Sequence, residues 1–105
     1  GGSLLCVNGV FAGASFDMRG MPQVAIGRSA RESQIVFPSA ETQISRKHVQ
    51  IQFVEGENCY YITDCSKNGT YVSGGVRTPT NQPYRVARGT SLYLDKHGRN
   101  KFILQ

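Results

Sequence analysis

Three short clusters of polar and charged residues carry groups that could do chemistry: Gly27-Arg28, Ser45-Arg46-Lys47-His48 and Asp64-Cys65-Ser66-Lys67-Asn68-Gly69-Thr70. Arg28 presents a planar fork of donors that fits two oxygens of a phosphate or carboxylate. Ser45 adds a hydroxyl donor, and Asn68 carries both a donor and an acceptor, as holding an extended peptide backbone requires. The combination indicates an anion site beside a peptide-backbone clamp.

The clusters do not form a catalytic or metal-binding pattern. No nucleophile stands with an evident base, and the histidines, His48 and His97, lack a convincing set of carboxylate partners. A zinc site is not expected, because there is no CxxC pair. We therefore expect no enzymatic activity, no metal and no cofactor.

The three cysteines are an odd number, which does not fit a secreted disulfide framework. Cys6 and Cys59 lie in apolar runs, where we expect buried thiols. These features favour a reducing, cytoplasmic location for the domain.

The 12 Lys and Arg residues against 7 Asp and Glu give a formal net charge of +5. Nucleic acid, anionic lipid, an acidic peptide and phosphate are all attracted to a basic surface. No stripe interleaves basic and aromatic residues, which disfavours nucleic acid, and no apolar run approaches the ~20 residues of a spanning helix. Outside the clusters, most basic residues look like scattered solubilising charge: Arg77, Arg85, Arg88, Lys96, Arg99 and Lys101.

The elements that must position the clusters are short strands. Val49, Ile51 and Phe53 alternate with Gln50 and Gln52, a period of two that predicts a half-buried strand. Similar runs cover residues 4–7, 14–18, 23–26, 34–37, 59–63, 92–94 and 102–104. A hairpin loop is expected at 55–58, a turn at 96–100, and a long polar loop or irregular edge at 74–84. No segment keeps a helical period, and only residues 29–33 could form one short helical turn.

Many short strands at close spacing predict an all-β antiparallel sandwich or barrel, in which separate loops gather at one end. The 105 residues allow one domain. We interpret Gly1 and Gly2 as a cloning scar and expect a single domain over residues 3–105.

The order and spacing of the three clusters resemble a forkhead-associated (FHA) domain, over essentially the whole chain. The resemblance implies an eleven-stranded antiparallel β-sandwich that recognises phosphothreonine in flexible peptides. By the same resemblance, each cluster residue takes a role: phosphate ligands at Arg28 and Ser45, assistance from Arg46 and Lys67, a peptide-backbone contact from Asn68, and structural parts at Gly27, His48, Gly69 and Thr70. His48 would brace the binding loops without touching the ligand.

Simpler interpretations stay open for single residues and for the function. Arg28 alone could be a solvated surface arginine, and Asn68-Gly69 is a common type I′ turn pair. The function expected is reversible assembly of signalling complexes by a monomeric, phosphothreonine-binding domain that contacts neither nucleic acid nor membrane. The alternatives are a phosphate-independent scaffold that uses another face of the sandwich, or a nucleic-acid-binding β-domain.

Overall fold

The computed structural model describes all residues, 1–105, as two packed β-sheets. Eleven strands follow one another along the chain: β1 Ser3–Cys6, β2 Ser15–Asp17, β3 Gln23–Gly27, β4 Ile35–Val36, β5 Val49–Val54, β6 Cys59–Asp64, β7 Tyr71–Val72, β8 Val76–Arg77, β9 Tyr84–Ala87, β10 Ser91–Tyr93 and β11 Lys101–Leu104. One sheet has the order β2-β1-β11-β10-β7-β8, and the other β4-β3-β5-β6-β9. The eleven-stranded sandwich expected from the sequence is confirmed.

The core lies between the two sheets. Alternate residues of β5 are buried, because its period of two turns one face inward. Its apolar side chains join a cluster that also takes residues from the facing sheet, among them Leu4, Leu92, Phe102 and Leu104. Both cysteines expected in the core, Cys6 and Cys59, are buried, and all three cysteines are free thiols.

All strand pairings are antiparallel except one. β4 lies parallel to β3, with Ile26 opposite Ile35. The chain leaves β3 at Gly27, crosses residues 28–34 and returns along the same edge, where the N–H of Phe37 donates to the carbonyl of Gly27 over 2.8 Å.

Residues 29–33, which the sequence allowed to form a short helical turn, form a hydrogen-bonded turn in which Glu32 N–H donates to the Ser29 carbonyl (3.2 Å), and the one 3-10 turn lies at Glu55–Glu57. Residues 29–33 are held to the neighbouring loop, because the carbonyl of Arg46 accepts from Ser29 N–H (3.1 Å) and Ser33 Oγ (2.8 Å). After the 3-10 turn, Asn58 adopts a left-handed conformation with φ 51° and closes the connection between β5 and β6.

The segment 74–84 is an irregular edge with a short strand in it. Gly74 and Gly75 have positive φ values of 85° and 74° and join β7 to β8 in a tight turn. Thr80 forms an isolated parallel bridge with Asp64. A two-residue strand such as β8 is too short to show a period in the sequence.

The chain ends lie together, at the end of the sandwich that holds the β5–β6 hairpin. Ser3 and Gln105 exchange two backbone hydrogen bonds, of 3.1 and 2.8 Å. The buried Tyr60 hydroxyl accepts from Ser3 N–H (3.0 Å) and lies 2.7 Å from the carbonyl oxygen of Gln105. No helix of the structure has the length and apolarity needed to cross a bilayer.

Candidate functional site

Strand register brings the three polar clusters to one end of the sandwich. Ile26 pairs with Val49, and Val49 pairs with Asp64. The segments that follow β3, precede β5 and follow β6 therefore leave the sheet at the same place, opposite the chain ends. We call this end the loop end.

Arg28 is half-buried and held at the loop end by its own backbone and side chain. Its N–H donates to the carbonyl of Ser45 (3.0 Å), and its Nε donates to the carbonyl of Ile44. The guanidinium forms no ion pair with a carboxylate, and its two terminal nitrogens make no hydrogen bond within the chain. Its donor fork is thus fixed in place and free to bind an anion.

The Ser45 side chain joins the second cluster to the third. Its Oγ accepts a hydrogen bond from the backbone N–H of Lys67 over 3.0 Å. The hydroxyl hydrogen has no acceptor within the chain, so it can donate to a ligand oxygen. Arg28 and Ser45 thus present unused donors from adjoining backbone positions.

His48 is fully buried beneath these loops and cannot reach a ligand. Its Nδ1 accepts from the N–H of Ser45 (3.1 Å), so Nε2 carries the hydrogen and donates to the carbonyl of Gly69 (2.9 Å). Burial is the main cause that lowers the pKa of His48, outweighing the opposing effect of the Gly69 carbonyl. The neutral ring ties two loops together.

Asp64 organises the third cluster from within. Its Oδ1 accepts from Ser66 N–H (3.0 Å), Ser66 Oγ (2.6 Å) and Thr70 Oγ1 (2.8 Å), while Oδ2 has no partner. Ser66 Oγ in turn accepts from Gly69 N–H over 2.7 Å. The hydrogen bonds run on from Gly69 through His48 to Ser45 and Lys67, so they close a ring around the loop end.

Asn68 is exposed and does not sit in a type I′ turn. Such a turn needs positive φ at both central residues, and of this pair only Gly69 has it, at 107°. The Asn68 side-chain Nδ2 donates to the carbonyl of Gln43 (3.2 Å), which leaves Oδ1 without a partner in the chain. The amide is therefore presented at the surface with an acceptor available to a peptide N–H.

Gly27, the last residue of β3, is required because the loop before β5 approaches the end of this strand closely. A methyl group at this position would lie 1.9 Å from the carbonyl oxygen of Arg46, far inside any contact distance. The side chains of Arg46 and Lys67 are exposed and form no hydrogen bond or ion pair within the chain. They add positive charge beside Arg28 without being fixed.

The sequence interpretation missed a groove that starts beside Asn68. Its volume is about 390 Å³, and three basic residues that looked like scattered charge, Arg77, Lys96 and Arg99, line it together. Arg77 is far from Lys96 and Arg99 in the chain, and the pairing of β7 with β8 and β10 brings it close to the turn that holds those two residues. No group of three or more His, Cys, Asp or Glu side chains in the structure could hold a metal ion.

Converging loops of the β-sandwich thus present fixed arginine, hydroxyl and amide groups, which form a candidate site for an anion beside a peptide backbone. The model of the FHA domain family matches residues 24–95. The chain belongs to the FHA domain family.

Several solved structures share the fold, two of them described as FHA domains. The FHA domain of the CT664 protein from Chlamydia trachomatis is 24% identical, with 98% of this chain and 94% of that chain covered and a TM-score of 0.76. The MEK1 FHA domain in complex with a HOP1 phosphothreonine peptide is 20% identical, over 99% and 94%, with a TM-score of 0.77. Full-length yeast Pml1p is 25% identical, over 99% and 80%, with a TM-score of 0.77. No curated protein matches the chain significantly.

Proposed function

We propose that this domain binds phosphothreonine in flexible peptides and so assembles signalling complexes reversibly. The observation that carries the proposal is the Arg28 guanidinium, which is fixed by the Ile44 carbonyl and free of any carboxylate, on a residue whose backbone N–H is bonded to the Ser45 carbonyl. In this proposal Arg28 and Ser45 hold the phosphate, and the exposed Arg46 and Lys67 assist. Asn68 binds the peptide backbone through its unused Oδ1.

The expected affinity follows from the number of donors. A phosphate group carries about −1.5 to −2 charges at neutral pH and accepts several charge-assisted hydrogen bonds. Each such bond contributes about 1.5–3 kcal/mol. Three or four of them, less the cost of ordering a flexible peptide, give a dissociation constant on the order of micromolar.

The rest of the molecule fits a binding module. Gly27, His48, Gly69 and Thr70 serve in it as structural parts, since each takes part in the close approach or the hydrogen-bond ring at the loop end. The MEK1 FHA domain in complex with a phosphothreonine peptide has the same fold, which supports the proposal. We further propose that the domain spans residues 3–105, acts as a monomer in the cytoplasm without a cofactor, and is not itself an enzyme.

Calorimetric titration of a phosphothreonine peptide library tests the proposal. Each peptide is paired with its unphosphorylated form and with a phosphoserine form, because a single methyl group in a pocket discriminates ~10–200-fold. We expect at least one phosphothreonine peptide to bind with roughly micromolar affinity while its unphosphorylated form does not bind.

If no phosphopeptide binds better than its control, the proposal is wrong. Partner binding that survives Arg28→Ala would then favour a phosphate-independent scaffold. Binding to DNA that falls steeply with salt would favour a nucleic-acid-binding domain.

A further inference from the structure

A basic groove adjoins the candidate phosphate site. Eight residues line it, and we refer to it as the basic groove: Gln43, Asn68, Tyr71, Arg77, Asp95, Lys96, His97 and Arg99. Asn68 and Gln43 lie at the boundary between the basic groove and the candidate phosphate site, where the Asn68 side chain donates to the Gln43 carbonyl. A peptide held by Asn68 therefore has the groove directly beside it.

The single carboxylate of the groove is already satisfied. Asp95 Oδ2 accepts from Arg99 Nε (2.9 Å), and Oδ1 accepts from the backbone N–H groups of His97 (2.8 Å) and Arg99 (3.2 Å). Asp95 is also shielded, with its side chain only 12% exposed. Asp95 thus neutralises Arg99 and offers nothing to the other two basic residues.

Arg77 and Lys96 are left without a counter-charge. Both are exposed, and neither forms an ion pair or a side-chain hydrogen bond in the chain. The Arg77 side chain lies over Gly69, where a methyl group would come within 2.9 Å of its Nε. The Arg77 side chain can lie this close to the loop because residue 69 is a glycine. The loop that presents Asn68 therefore also positions Arg77.

We propose that the basic groove binds an anionic side chain of the same peptide, within a few residues of the phosphothreonine. The shared chemistry is a carboxylate or a second phosphate group, which pairs with Arg77 and Lys96. This inference rests on the proposed function and adds the class of peptide that it prefers, one with an acidic or doubly phosphorylated sequence.

A scan of acidic residues along one phosphothreonine peptide tests the inference. Starting from a binding peptide without other charges, glutamate is placed in turn at each of four positions on either side, and phosphoserine replaces it at the best position. Each peptide is titrated into the wild-type domain, the double variant Arg77→Gln/Lys96→Gln and the variant Arg85→Gln. Arg85 pairs with Glu57 at the opposite end, so its variant controls for the loss of positive charge.

With the wild-type domain, glutamate at one or more positions on one side of the phosphothreonine should tighten binding. We expect a gain of about two- to five-fold for each basic side chain, Arg77 or Lys96, with which the glutamate pairs. The gain should disappear in the double variant, persist in Arg85→Gln and shrink at high salt. A larger gain with phosphoserine than with glutamate identifies a second phosphate as the preferred group, and an equal or smaller gain identifies a carboxylate.

Two results would overturn the inference while leaving the proposed function intact. In one, the phosphothreonine peptides bind but glutamate changes nothing at any position. In the other, the gain survives in the double variant. Absence of any phosphate-dependent binding is a different result, since it contradicts the proposed function itself. The fold of the double variant is checked by its thermal unfolding, which should match that of Arg85→Gln.

Discussion

At the scale of single residues, the most informative side chain is one whose charge the protein leaves uncompensated. Arg28 is half-buried, and such arginines usually meet a carboxylate because a buried charge is costly. Here the Nε alone is used, by the Ile44 carbonyl, so the guanidinium is oriented without being neutralised. This is the arrangement that binding an external anion requires.

Arg28→Ala should remove phosphopeptide binding and leave stability nearly unchanged. A fork to a phosphate makes two charge-assisted bonds of about 1.5–3 kcal/mol each, so their loss takes a micromolar binder beyond detection. The fold loses only one bond to a backbone carbonyl, about 1 kcal/mol. Calorimetric titration and urea unfolding measure the two effects.

Two further variants separate charge from geometry in this prediction. Arg28→Lys keeps the charge without the fork and should bind much more weakly than wild type. Arg31→Ala removes an exposed positive charge from the following turn and should retain most of the affinity. An unfolding free energy several kcal/mol lower in Arg28→Ala would instead make Arg28 a structural residue.

Sequence and structure agree on some residues and differ on others for physical reasons. Arg28, Ser45 and Asn68 stand beside strands with a clear period of two, so their meeting at one end could be predicted. The ring of hydrogen bonds that joins Asp64 to Ser45 could not be predicted from the sequence. It depends on side-chain rotamers and on which nitrogen of His48 faces each loop. The basic groove was missed because Arg77 and Lys96 belong to segments without a readable pattern.

At the scale of elements, the apolar runs of the sequence predict β1 to β6, β10 and β11, but not β7, β8 and β9. β5 and β6 have six residues each, enough to show which face is buried. β7 and β8 have two each, so their pairing comes from the tight turn at Gly74 and Gly75. The one 3-10 turn lies at Glu55–Glu57 rather than at residues 29–33, because a three-residue turn is too short to show a helical period in the sequence.

Gly27→Ala tests whether the end of β3 must approach the loop before β5. The added methyl group overlaps the Arg46 carbonyl oxygen, so that loop must move or the strand must bend. Overpacking of this kind costs about 1–3 kcal/mol. Phosphopeptide affinity should fall with it, because Ser45 precedes Arg46.

Gly56→Ala is the matched control for this prediction. Gly56 has no atom within 4 Å of the added methyl group and no positive φ, so the change should stay within about 0.5 kcal/mol. Equal unfolding free energies for the two variants would show that the approach at Gly27 is not constraining. Urea unfolding gives the free energies.

The loops joined by His48 should loosen in mild acid. The folded pKa of His48 is lowered from the usual 6.5, so below that pH the unfolded chain takes up a proton that the folded protein does not. Stability is therefore fully present above about pH 6.5 and falls as the pH drops below it, by at most about 1.4 kcal/mol per pH unit from this one group.

Urea unfolding between pH 8 and pH 5.5 measures this dependence. Unfolding is a better readout than binding here, since the phosphate group itself titrates near pH 6. His97→Gln should leave the slope intact because His97 is exposed, whereas His48→Gln should flatten it. A wild-type stability that does not fall across this range would contradict the assignment of a buried, neutral ring.

At the scale of the whole molecule, the loop end and the chain ends are separated by the length of the sheets. The Tyr60 hydroxyl adds a side-chain link to the backbone pairing at the far end, since it contacts both Ser3 and Gln105. Tyr60 is fully buried, and burial is the main cause that raises the pKa of its hydroxyl. The tyrosine therefore stays neutral and keeps its hydrogen.

Tyr60→Phe should destabilise the domain without changing phosphopeptide affinity. Loss of a buried hydroxyl with two partners costs about 1–2 kcal/mol, and each kcal/mol lowers the melting temperature of a domain of this size by about 4–8 °C. Thermal unfolding and calorimetric titration separate the two effects. Tyr61→Phe, which removes an exposed hydroxyl bonded to Glu57, should melt close to wild type.

An equal drop for both tyrosine variants would show that the contact between the chain ends contributes little. A loss of peptide affinity in Tyr60→Phe would show that the two ends of the sandwich communicate. Neither outcome is expected, because the side-chain hydrogen bonds of Tyr60 all lie at the chain ends.

The backbone pairing of Ser3 with Gln105 has a practical consequence for protein engineering. β1 and β11 are neighbouring antiparallel strands whose outer ends are already bonded to each other, like a hairpin that lacks its turn. A short linker could close this turn, and the exposed turn at residues 19–21, away from the basic groove, then offers a place for new ends. The same geometry lets the domain be inserted into a surface loop of a host enzyme or fluorescent protein.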